Sequence, residues 1–248
     1  MWYRVRLSWD KPDTQLGAYQ IYENAVKKAN EVPGYSVYDE AGNVLYTSPL
    51  VVKTMSYKAK VIKKFGKYAP GKTVVVTINR KKQWIVEADG TVVPERNYLD
   101  LLKQIYDSSV KYNRATAEAW VNNEGFSSKT EWLLWANKYT QKVYIFQGSK
   151  KNWVLKKTYK CGTGKISDGD LGDPGLYFNG KIYDHHRTYP SSRGGTLQYF
   201  MHYSSPKGNG IHYGNVGKPT THGCIALAMD PVKWVYSNLP LNTKVILY

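Results

Sequence analysis

Hydrophobic and polar positions alternate at the start of the chain, and the period of the pattern then changes. The run YRVRLS predicts a two-faced strand over residues 3–8, and apolar residues recur at helical spacing over residues 18–30. Two further alternating runs, at 35–39 and 43–46, predict a pair of strands around an Ala-Gly-Asn turn. Together these elements predict a small α/β domain over residues 1–48.

The next part of the chain has short strand-like runs that glycines and charged turns separate. The runs cover residues 57–62, 73–78, 83–87 and 91–94. Such close spacing is typical of a small barrel, which we expect over residues 53–98. Helical spacing resumes over residues 99–121 and predicts a helical connector over 99–126.

Strand-like patterns dominate again in the last half of the chain. Runs at 175–178 and 197–203 predict strands, and helical spacing predicts one helix over residues 231–238 before a last strand at 244–248. We therefore expect a β-rich domain over residues 127–248. The predicted fold class is mostly β with α, divided into several domains.

Composition and charge narrow the classes of partner. The chain has 248 residues, of which 42% are hydrophobic and 22% are charged, as is typical of a folded protein. A formal net charge of +16 favours polyanionic partners. Nucleic acid and an anionic cell wall are both candidates, but the basic residues are scattered without a long block, which argues against a nucleic-acid arm. No apolar run reaches the roughly 18 residues of a transmembrane helix.

The densest candidate chemistry lies in the segment GIHYGNVGKPTTHGCIAL, residues 210–227. It contains His212, His222 and Cys224, which is one of only two cysteines. In an extended chain His222 and Cys224 face the same side. A neighbouring imidazole can take the thiol proton, and the thiolate is a nucleophile for acyl transfer. Gly223 leaves room for backbone N–H groups to approach a developing oxyanion.

Other interpretations of these residues stay open at this level. A cysteine is commonly a small buried residue, and we expect this role for Cys161. A histidine is commonly structural, but all five histidines lie between residues 185 and 222. A zinc site of three histidines and Cys224 is a rival, although no paired ligand motif is present. A papain-type protease has the opposite order, with the cysteine before the histidine.

The last domain resembles the YkuD-type L,D-transpeptidase catalytic domain over residues 128–248. The resemblance rests on His212 followed by THGCI at 221–225, on GTGK at 162–165, on GxxGDPGLYF at 169–178 and on IHYG at 211–214. It implies that Cys224 is the nucleophile, that His212 is the general base, and that the Tyr213 carbonyl orients the His212 ring. It also implies that the Gly223 and Cys224 amides form much of an oxyanion hole, which His222 shapes, and that neither a metal nor a cofactor is needed.

The substrate-binding residues are harder to assign. Ala226 stands where the family often has Arg or Asn, a side chain that is thought to engage the substrate peptide. Arg187 or Arg193, in the loop DHHRTYPSSRGG, is a candidate substitute. The further candidates are Thr221, Tyr199, His202 and Tyr203.

The N-terminal part resembles two kinds of targeting module. Residues 2–46 are similar to small SPOR-like modules in YRVRLSW, GAYxxxENAxKxA and YSVYDExGxVLY. Residues 53–98 are similar to a bacterial SH3 domain, chiefly through Trp84 and the VVP at 92–94. Both resemblances imply that these modules target the cell wall, the first by binding its glycan.

These resemblances predict a peptidoglycan L,D-transpeptidase that joins two stem peptides through their third residues. A carboxypeptidase or a lytic endopeptidase would use the same acyl-enzyme with water, and a non-catalytic wall-binding protein is the third possibility. The expected partners are stem peptides, glycan and anionic wall polymers, with the protein acting as a monomer outside the cell. No signal peptide is visible after Met1, so we expect a removed leader or another export route.

Overall fold

The computed structural model describes residues 1–32, 34–48, 52–79, 83–165, 178–204 and 208–248. The chain forms two compact units. The first consists of Met1–Lys53, Lys111–Phe126 and Lys150–Leu155, and the second of Thr54–Val110, Ser127–Ser149 and Lys156–Tyr248. The finer division into four domains at the boundaries given above remains a prediction.

The first unit contains a four-stranded antiparallel sheet with a helix packed on it. Its elements are β1 (Tyr3–Arg6), β2 (Gly17–Tyr19), α1 (Tyr22–Glu31), β3 (Ser36–Tyr38) and β4 (Val44–Thr47). The strand order is β2-β1-β3-β4. Ala25 and Ala29 of α1 are buried together with Val5 and Val37 of the sheet. The helix begins later than the predicted residue 18, because β2 pairs with β1 instead.

A second helix, α2 (Arg114–Asn123), belongs to the same unit. The Asn113 side chain caps its first turn by accepting a hydrogen bond from the Thr116 N–H at 2.8 Å. Trp120 is fully buried, and its ring lies 5.5 Å from the ring of Phe126. The indole N–H of Trp153 donates to the Phe126 carbonyl at 2.9 Å. Aromatic packing therefore fixes this helix within its unit.

The second unit contains a four-stranded sheet and a nine-stranded sheet. The smaller sheet has the order β7-β6-β5-β8. Its strands are β5 (Ser56–Val61), β6 (Thr73–Ile78), β7 (Trp84–Val86) and β8 (Leu99–Ile105). The run predicted as a strand at 91–94 makes only one isolated bridge, between Ile85 and Val92.

The predicted helix over residues 99–121 is wrong in its first part. Leu99–Ile105 is strand β8, which pairs antiparallel with β5. Leu99 is buried and Leu101 packs against the same core, which is the period-two placement of a strand. Helix preferences of leucine, lysine and glutamine differ from those of other common residues by less than about 1 kcal/mol each. Pairing with the edge of β5 outweighs them, so the connector is helical only from Arg114.

The nine-stranded sheet has the order β12-β17-β9-β10-β11-β16-β15-β14-β13. Its strands are β9 (Trp132–Asn137), β10 (Lys142–Gln147), β11 (Val154–Gly162), β12 (Phe178–Lys181), β13 (His186–Pro190), β14 (Thr196–Ser204), β15 (Asn209–Tyr213), β16 (Ile225–Leu227) and β17 (Lys244–Leu247). Helix α3 (Met229–Asn238) contacts β14 and β15. Its Val232 and Val235 are buried in one core with Ile211 and Leu227.

The sequence pattern predicts most of these elements within a few residues. The helix expected over 231–238 lies inside α3, and the strand expected over 197–203 lies inside β14. The predicted strand at 175–178 and the motif at 169–178 fall outside the described residues except for Phe178, where β12 begins. Among the described residues, no helix is long and apolar enough to cross a membrane.

Candidate active site

Strands β15 and β16 bring together the candidate catalytic residues of the 210–227 segment. The two strands are parallel, with Ile211 opposite Ile225 and His212 opposite Ala226. Just before this pairing begins, the Gly210 N–H donates to the Cys224 Sγ at 3.5 Å. Adjacent strands lie about 4.8 Å apart, so the pairing by itself brings the backbones carrying the thiol and the imidazole close together.

The loop before THGC is fixed by the GTGK segment that follows β11. The N–H groups of Thr220 and Thr221 both donate to the Thr163 carbonyl, at 2.9 and 3.0 Å. The Lys165 N–H donates back to the Thr221 carbonyl at 2.8 Å. Thr163 is itself held by Gln141, whose side-chain oxygen accepts from the Thr163 N–H at 3.0 Å. The nucleophile motif is therefore anchored on the sheet and not on a free loop.

Side-chain hydrogen bonds then shape the turn at the thiol. The Thr221 hydroxyl donates to the Cys224 carbonyl at 2.6 Å and accepts from the Gly223 N–H at 3.3 Å. The Tyr203 hydroxyl donates to the Gly223 carbonyl at 2.5 Å. A trans peptide points its C=O and N–H in opposite directions, so Tyr203 also orients the Cys224 N–H. None of the described residues accepts a hydrogen bond from that N–H.

Two positions near Cys224 must be glycine, because neighbouring side chains lie where a Cβ atom would be. Gly223 has φ +140°, and a Cβ there would lie 2.6 Å from the Asn209 side-chain nitrogen. A Cβ on Gly210 would lie 2.5 Å from the ring of Phe200. Side chains at either position would displace the groups that surround Cys224.

The His212 ring has a defined tautomer. Its Nδ1 lies 2.7 Å from the Tyr213 carbonyl, so Nδ1 carries the proton and donates it. This leaves Nε2 as the nitrogen that can accept a proton. The Tyr213 side chain itself is exposed, and only the backbone carbonyl of this residue serves the site.

Burial sets the charge state of the pair. It raises the pKa of the Cys224 thiol above its ordinary value, and the hydrogen bond from Gly210 offsets this only in part. It lowers the pKa of His212 below its ordinary value, against the opposing hydrogen bond to Tyr213. Both shifts favour neutral groups, so proton transfer from thiol to imidazole is a step of the reaction and not the resting state.

We expect the Cys224 thiolate to be absent at neutral pH in the free protein. The thiolate absorbance in the far ultraviolet, taken as the difference between wild type and Cys224→Ala, should appear only above about pH 8.5, the ordinary thiol pKa. Cys161 does not interfere, because its complete burial raises its own pKa still further. A difference signal already complete at pH 6 would instead show a preformed thiolate–imidazolium pair.

Both groups open into one pocket with a volume of about 860 Å³. Of the residues singled out from the sequence, the pocket wall includes Thr221, His222, Cys224, His212 and Arg193. Cys224 is half-buried, so its sulfur has access to this space. The structure thus gathers the predicted nucleophile, base and motif threonine with one arginine.

Four predicted substrate-binding residues lie outside this pocket. Tyr199 and Tyr203 point into the hydrophobic core, because alternate residues of β14 face opposite sides of the sheet. The His202 Nδ1 lies 2.6 Å from a carboxylate oxygen of Asp184. The Arg187 guanidinium lies over the Tyr199 ring, 4.5 Å from its centroid. Of the two candidate arginines, only Arg193 reaches the pocket wall.

Sequence reasoning missed the residues that frame the thiol. Asn209 lies against Gly223, and Phe200 covers Gly210; both also line the pocket. The glycine-rich run GNGIHYG was the available signal for a close approach at Gly210. Nothing in the sequence distinguishes Asn209 or Phe200, because their positions depend on the pairing of β14 with β15.

Comparison with known families agrees with this geometry. The family model of the YkuD L,D-transpeptidase catalytic domain matches residues 131–247. These residues are similar to a YkuD catalytic domain. The matched range includes β9 to β17 and α3, and it therefore holds every residue that lines the pocket described above. No curated protein matches the chain.

Solved structures similar to the chain align over about half of it. A fused Zn-dependent amidase/peptidase/peptidoglycan-binding domain-containing protein from Clostridium acetobutylicum ATCC 824 is 22% identical over 58% of this chain and 66% of its own, with a TM-score of 0.44. An L,D-transpeptidase from Mycobacterium smegmatis is 15% identical over 48% and 58%, with a TM-score of 0.40. One from Stackebrandtia nassauensis is 18% identical over 54% and 63%, also with a TM-score of 0.40. The chain thus spans less than two thirds of each of these proteins.

Proposed function

We propose that the protein is a peptidoglycan L,D-transpeptidase with Cys224 as its nucleophile. The observation that carries the proposal is the shared pocket of Cys224 and His212, in which the Tyr213 carbonyl leaves Nε2 of His212 free to accept a proton. A thiol with an oriented imidazole is the arrangement for covalent acyl transfer. The YkuD domain match supports the same reaction class.

In the first half-reaction the His212 Nε2 accepts the thiol proton as Sγ attacks a carbonyl carbon. The attacked bond is the amide between the third and fourth residues of a stem tetrapeptide. The amide carbonyl becomes an oxyanion, which collapses as the C–N bond breaks. The imidazolium returns its proton to the leaving amine of the terminal D-residue, and a thioester on Cys224 remains.

In the second half-reaction an amine replaces the sulfur. The side-chain amine of the third residue in another stem peptide attacks the thioester carbonyl and loses a proton to His212. The C–S bond breaks, and the thiolate recovers that proton. The product is an amide between two third residues, and the protein returns to its neutral starting state. No metal or organic cofactor takes part in these steps.

The Cys224 N–H is the donor that we assign to the oxyanion. Tyr203 orients its peptide group, and the neighbouring Gly223 N–H already donates to the Thr221 hydroxyl. A single positioned oxyanion donor is worth about 3–4 kcal/mol in other enzymes. His222 lines the same wall, and we assign it to shaping this side of the pocket.

Arg193 is our candidate for recognition of an anionic group of the stem peptide. It is the arginine of the DHHRTYPSSRGG loop on the pocket wall, whereas Ala226 is buried opposite His212 and offers no charge. Thr221 lines the same wall, and we assign it a contact with the stem peptide. An arginine matches a carboxylate in a bidentate geometry that a lysine does not reproduce.

The N-terminal part of the chain is suited to targeting the protein to the cell wall. We propose that residues 1–48 and 53–98 are SPOR-like and SH3-like modules that target the cell wall, the first by binding its glycan. The helix packed on a four-stranded sheet in the first and the separate four-stranded sheet in the second support this assignment. The net charge of +16 adds attraction to anionic wall polymers. The proposed place of action is extracellular, at the wall, as a monomer.

Incubation with purified disaccharide-tetrapeptide, followed by mass spectrometry, tests this function. We expect a dimer that has lost one terminal D-residue. Tripeptide alone would show that water is the acceptor and make the protein a carboxypeptidase, and cleavage of existing cross-links would make it an endopeptidase. Unchanged substrate with wild type, where Cys224 remains alkylatable, would overturn the enzymatic proposal in favour of a wall-binding protein.

A further inference from the structure

A second cluster of ionisable groups lies between β13 and β14, outside the catalytic pocket. The two strands are antiparallel, with His186 opposite Phe200. Residues two apart on a strand face the same side, so Asp184 and His186 share a face with Phe200 and His202. The pairing therefore places one carboxylate and two imidazoles together at the edge strand of the nine-stranded sheet.

The contacts within this cluster are close. The His202 Nδ1 lies 2.6 Å from Asp184 Oδ1, and the His202 N–H donates to the same oxygen at 3.2 Å. The His186 Nε2 lies 3.4 Å from Asp184 Oδ2. One donor atom from each of the three residues lies within 4.8 Å of the others. The carboxylate thus joins both rings through its two oxygens.

We propose that Asp184, His186 and His202 form a binding site for one divalent transition-metal ion, with Zn²⁺ as the ion that fits best. Two imidazoles and a carboxylate are a donor set typical of zinc. Ligand atoms about 2.0–2.2 Å from a tetrahedral Zn²⁺ lie roughly 3.3 Å from one another. The His186–Asp184 separation of 3.4 Å already has this value.

The His202–Asp184 separation changes when the ion enters. The His202–Asp184 contact of 2.6 Å is a hydrogen bond that shares one proton. Zn²⁺ takes the place of the hydrogen on Nδ1, the neutral ring then carries its one N–H on Nε2, and the Nδ1 and Oδ1 atoms move apart by less than about 1 Å to reach their ligand positions. The exchange balances as one ion bound and one N–H proton moved from Nδ1 to Nε2 of the same ring.

Exposure of the three side chains suits a partly open site. The His202 side chain is 7% exposed, whereas those of Asp184 and His186 are 34% and 40% exposed. One ligand is therefore fixed in the sheet and two face solvent, so the ion has a route in and a water molecule can complete its coordination. The rings of Tyr183, Tyr189 and Phe200 surround the His202 ring at centroid distances of 5.2, 4.7 and 4.4 Å.

The cluster lies next to the wall of the catalytic pocket, so metal binding affects the stability of that wall. Tyr189 and Phe200 are stacked at 4.6 Å, and both line the catalytic pocket. Asp184 precedes β13, His186 lies on β13 and His202 lies on β14, so an ion bound to all three links this edge strand to its neighbour. Metal binding thereby stabilises the pocket wall, while taking no part in the chemistry at Cys224.

Equilibrium dialysis of the full chain against Zn²⁺, after removal of metal by a chelator, tests the site. We expect one ion per chain in wild type and an affinity at least about tenfold weaker in His186→Ala. Thermal unfolding should show a higher Tm with Zn²⁺ for wild type and no such shift for His186→Ala. Because His186 is partly exposed, its replacement leaves the metal-free Tm close to that of wild type.

Three further variants make the result specific. His185→Gln is the matched control, because the His185 ring packs 5.0 Å from the Tyr236 ring and is not part of the cluster. Cys224→Ala tests whether the ion sits on the catalytic thiol, and it should bind Zn²⁺ as wild type does. Asp184→Asn keeps the shape of the carboxylate and should weaken binding like His186→Ala.

Several results would overturn the proposal. It fails if wild type binds no Zn²⁺, if His186→Ala and Asp184→Asn bind as tightly as wild type, or if binding disappears in Cys224→Ala. None of these outcomes depends on transpeptidase activity, so the metal site and the proposed function are tested separately.

Discussion

Cys224→Ala is expected to abolish formation of every product from disaccharide-tetrapeptide. Without the sulfur no thioester can form, and the remaining pocket offers only oriented hydrogen-bond donors and a base. Removal of the nucleophile in enzymes of this kind costs on the order of 10⁶-fold in kcat. Mass spectrometry of the wild-type protein during turnover should show the acyl group on the peptide that contains Cys224.

Cys161→Ala is the control for this prediction. Cys161 is fully buried, and its raised pKa keeps it as a neutral thiol, so its replacement should change stability without changing the products. Turnover that survives in Cys224→Ala but falls in Cys161→Ala would reverse our assignment of the two cysteines.

His212→Gln is expected to lower kcat by roughly 10²–10⁴-fold, the usual contribution of a general base. Glutamine keeps a polar side chain in the pocket but cannot accept the thiol proton. The thiol of this variant then reacts only after it ionises in solution, so the remaining rate should rise with pH through the raised pKa of Cys224. In wild type the acid limb should instead lie below about pH 6.5, because burial lowers the pKa of His212 from that ordinary value.

The comparison variant is His222→Gln, which changes the other histidine of the pocket wall. It should lose less activity and keep the wild-type pH profile, since His222 does not accept the thiol proton in our scheme. A flat pH profile in His212→Gln, together with a larger loss in His222→Gln, would identify His222 as the base.

The part of the site that lies in one stretch of sequence was predictable. Cys224, His222 and Thr221 are neighbours in the chain, and a thiol among imidazoles and glycines has few ordinary explanations. His212 was also predictable, because it precedes them in the same segment. The strand residue that pairs with His212 could not be predicted, since the parallel register of β15 and β16 is decided by the whole sheet.

The charge state of the pair could not be predicted from residue types. A histidine near a cysteine favours an ion pair in an exposed setting, whereas burial favours the neutral forms. The outcome depends on how much of each side chain the fold covers. This information appears only when β14, β15 and the 214–224 connection are placed together.

The wrong fold predictions also arose because contacts between distant parts of the chain are not visible in the sequence. Residues 99–105 have the apolar spacing and residue types of a helix, yet the open edge of β5 makes them a strand. The cluster of Asp184, His186 and His202 was likewise hidden, because metal-ligand spacings along the sequence do not detect ligands that meet across an antiparallel pair. Tyr199 and Tyr203 lie on the core side of β14, a placement that the sequence could not show because the face of this strand was not known.

The base and the nucleophile motif are carried by neighbouring strands in the interior of the sheet, and the loop between them is tied to the strand on the other side. Their alignment is therefore a property of the sheet itself and needs no hinge to assemble it. Heating should leave catalysis intact until the sheet melts cooperatively, so loss of catalytic competence and loss of β circular dichroism should follow a single transition.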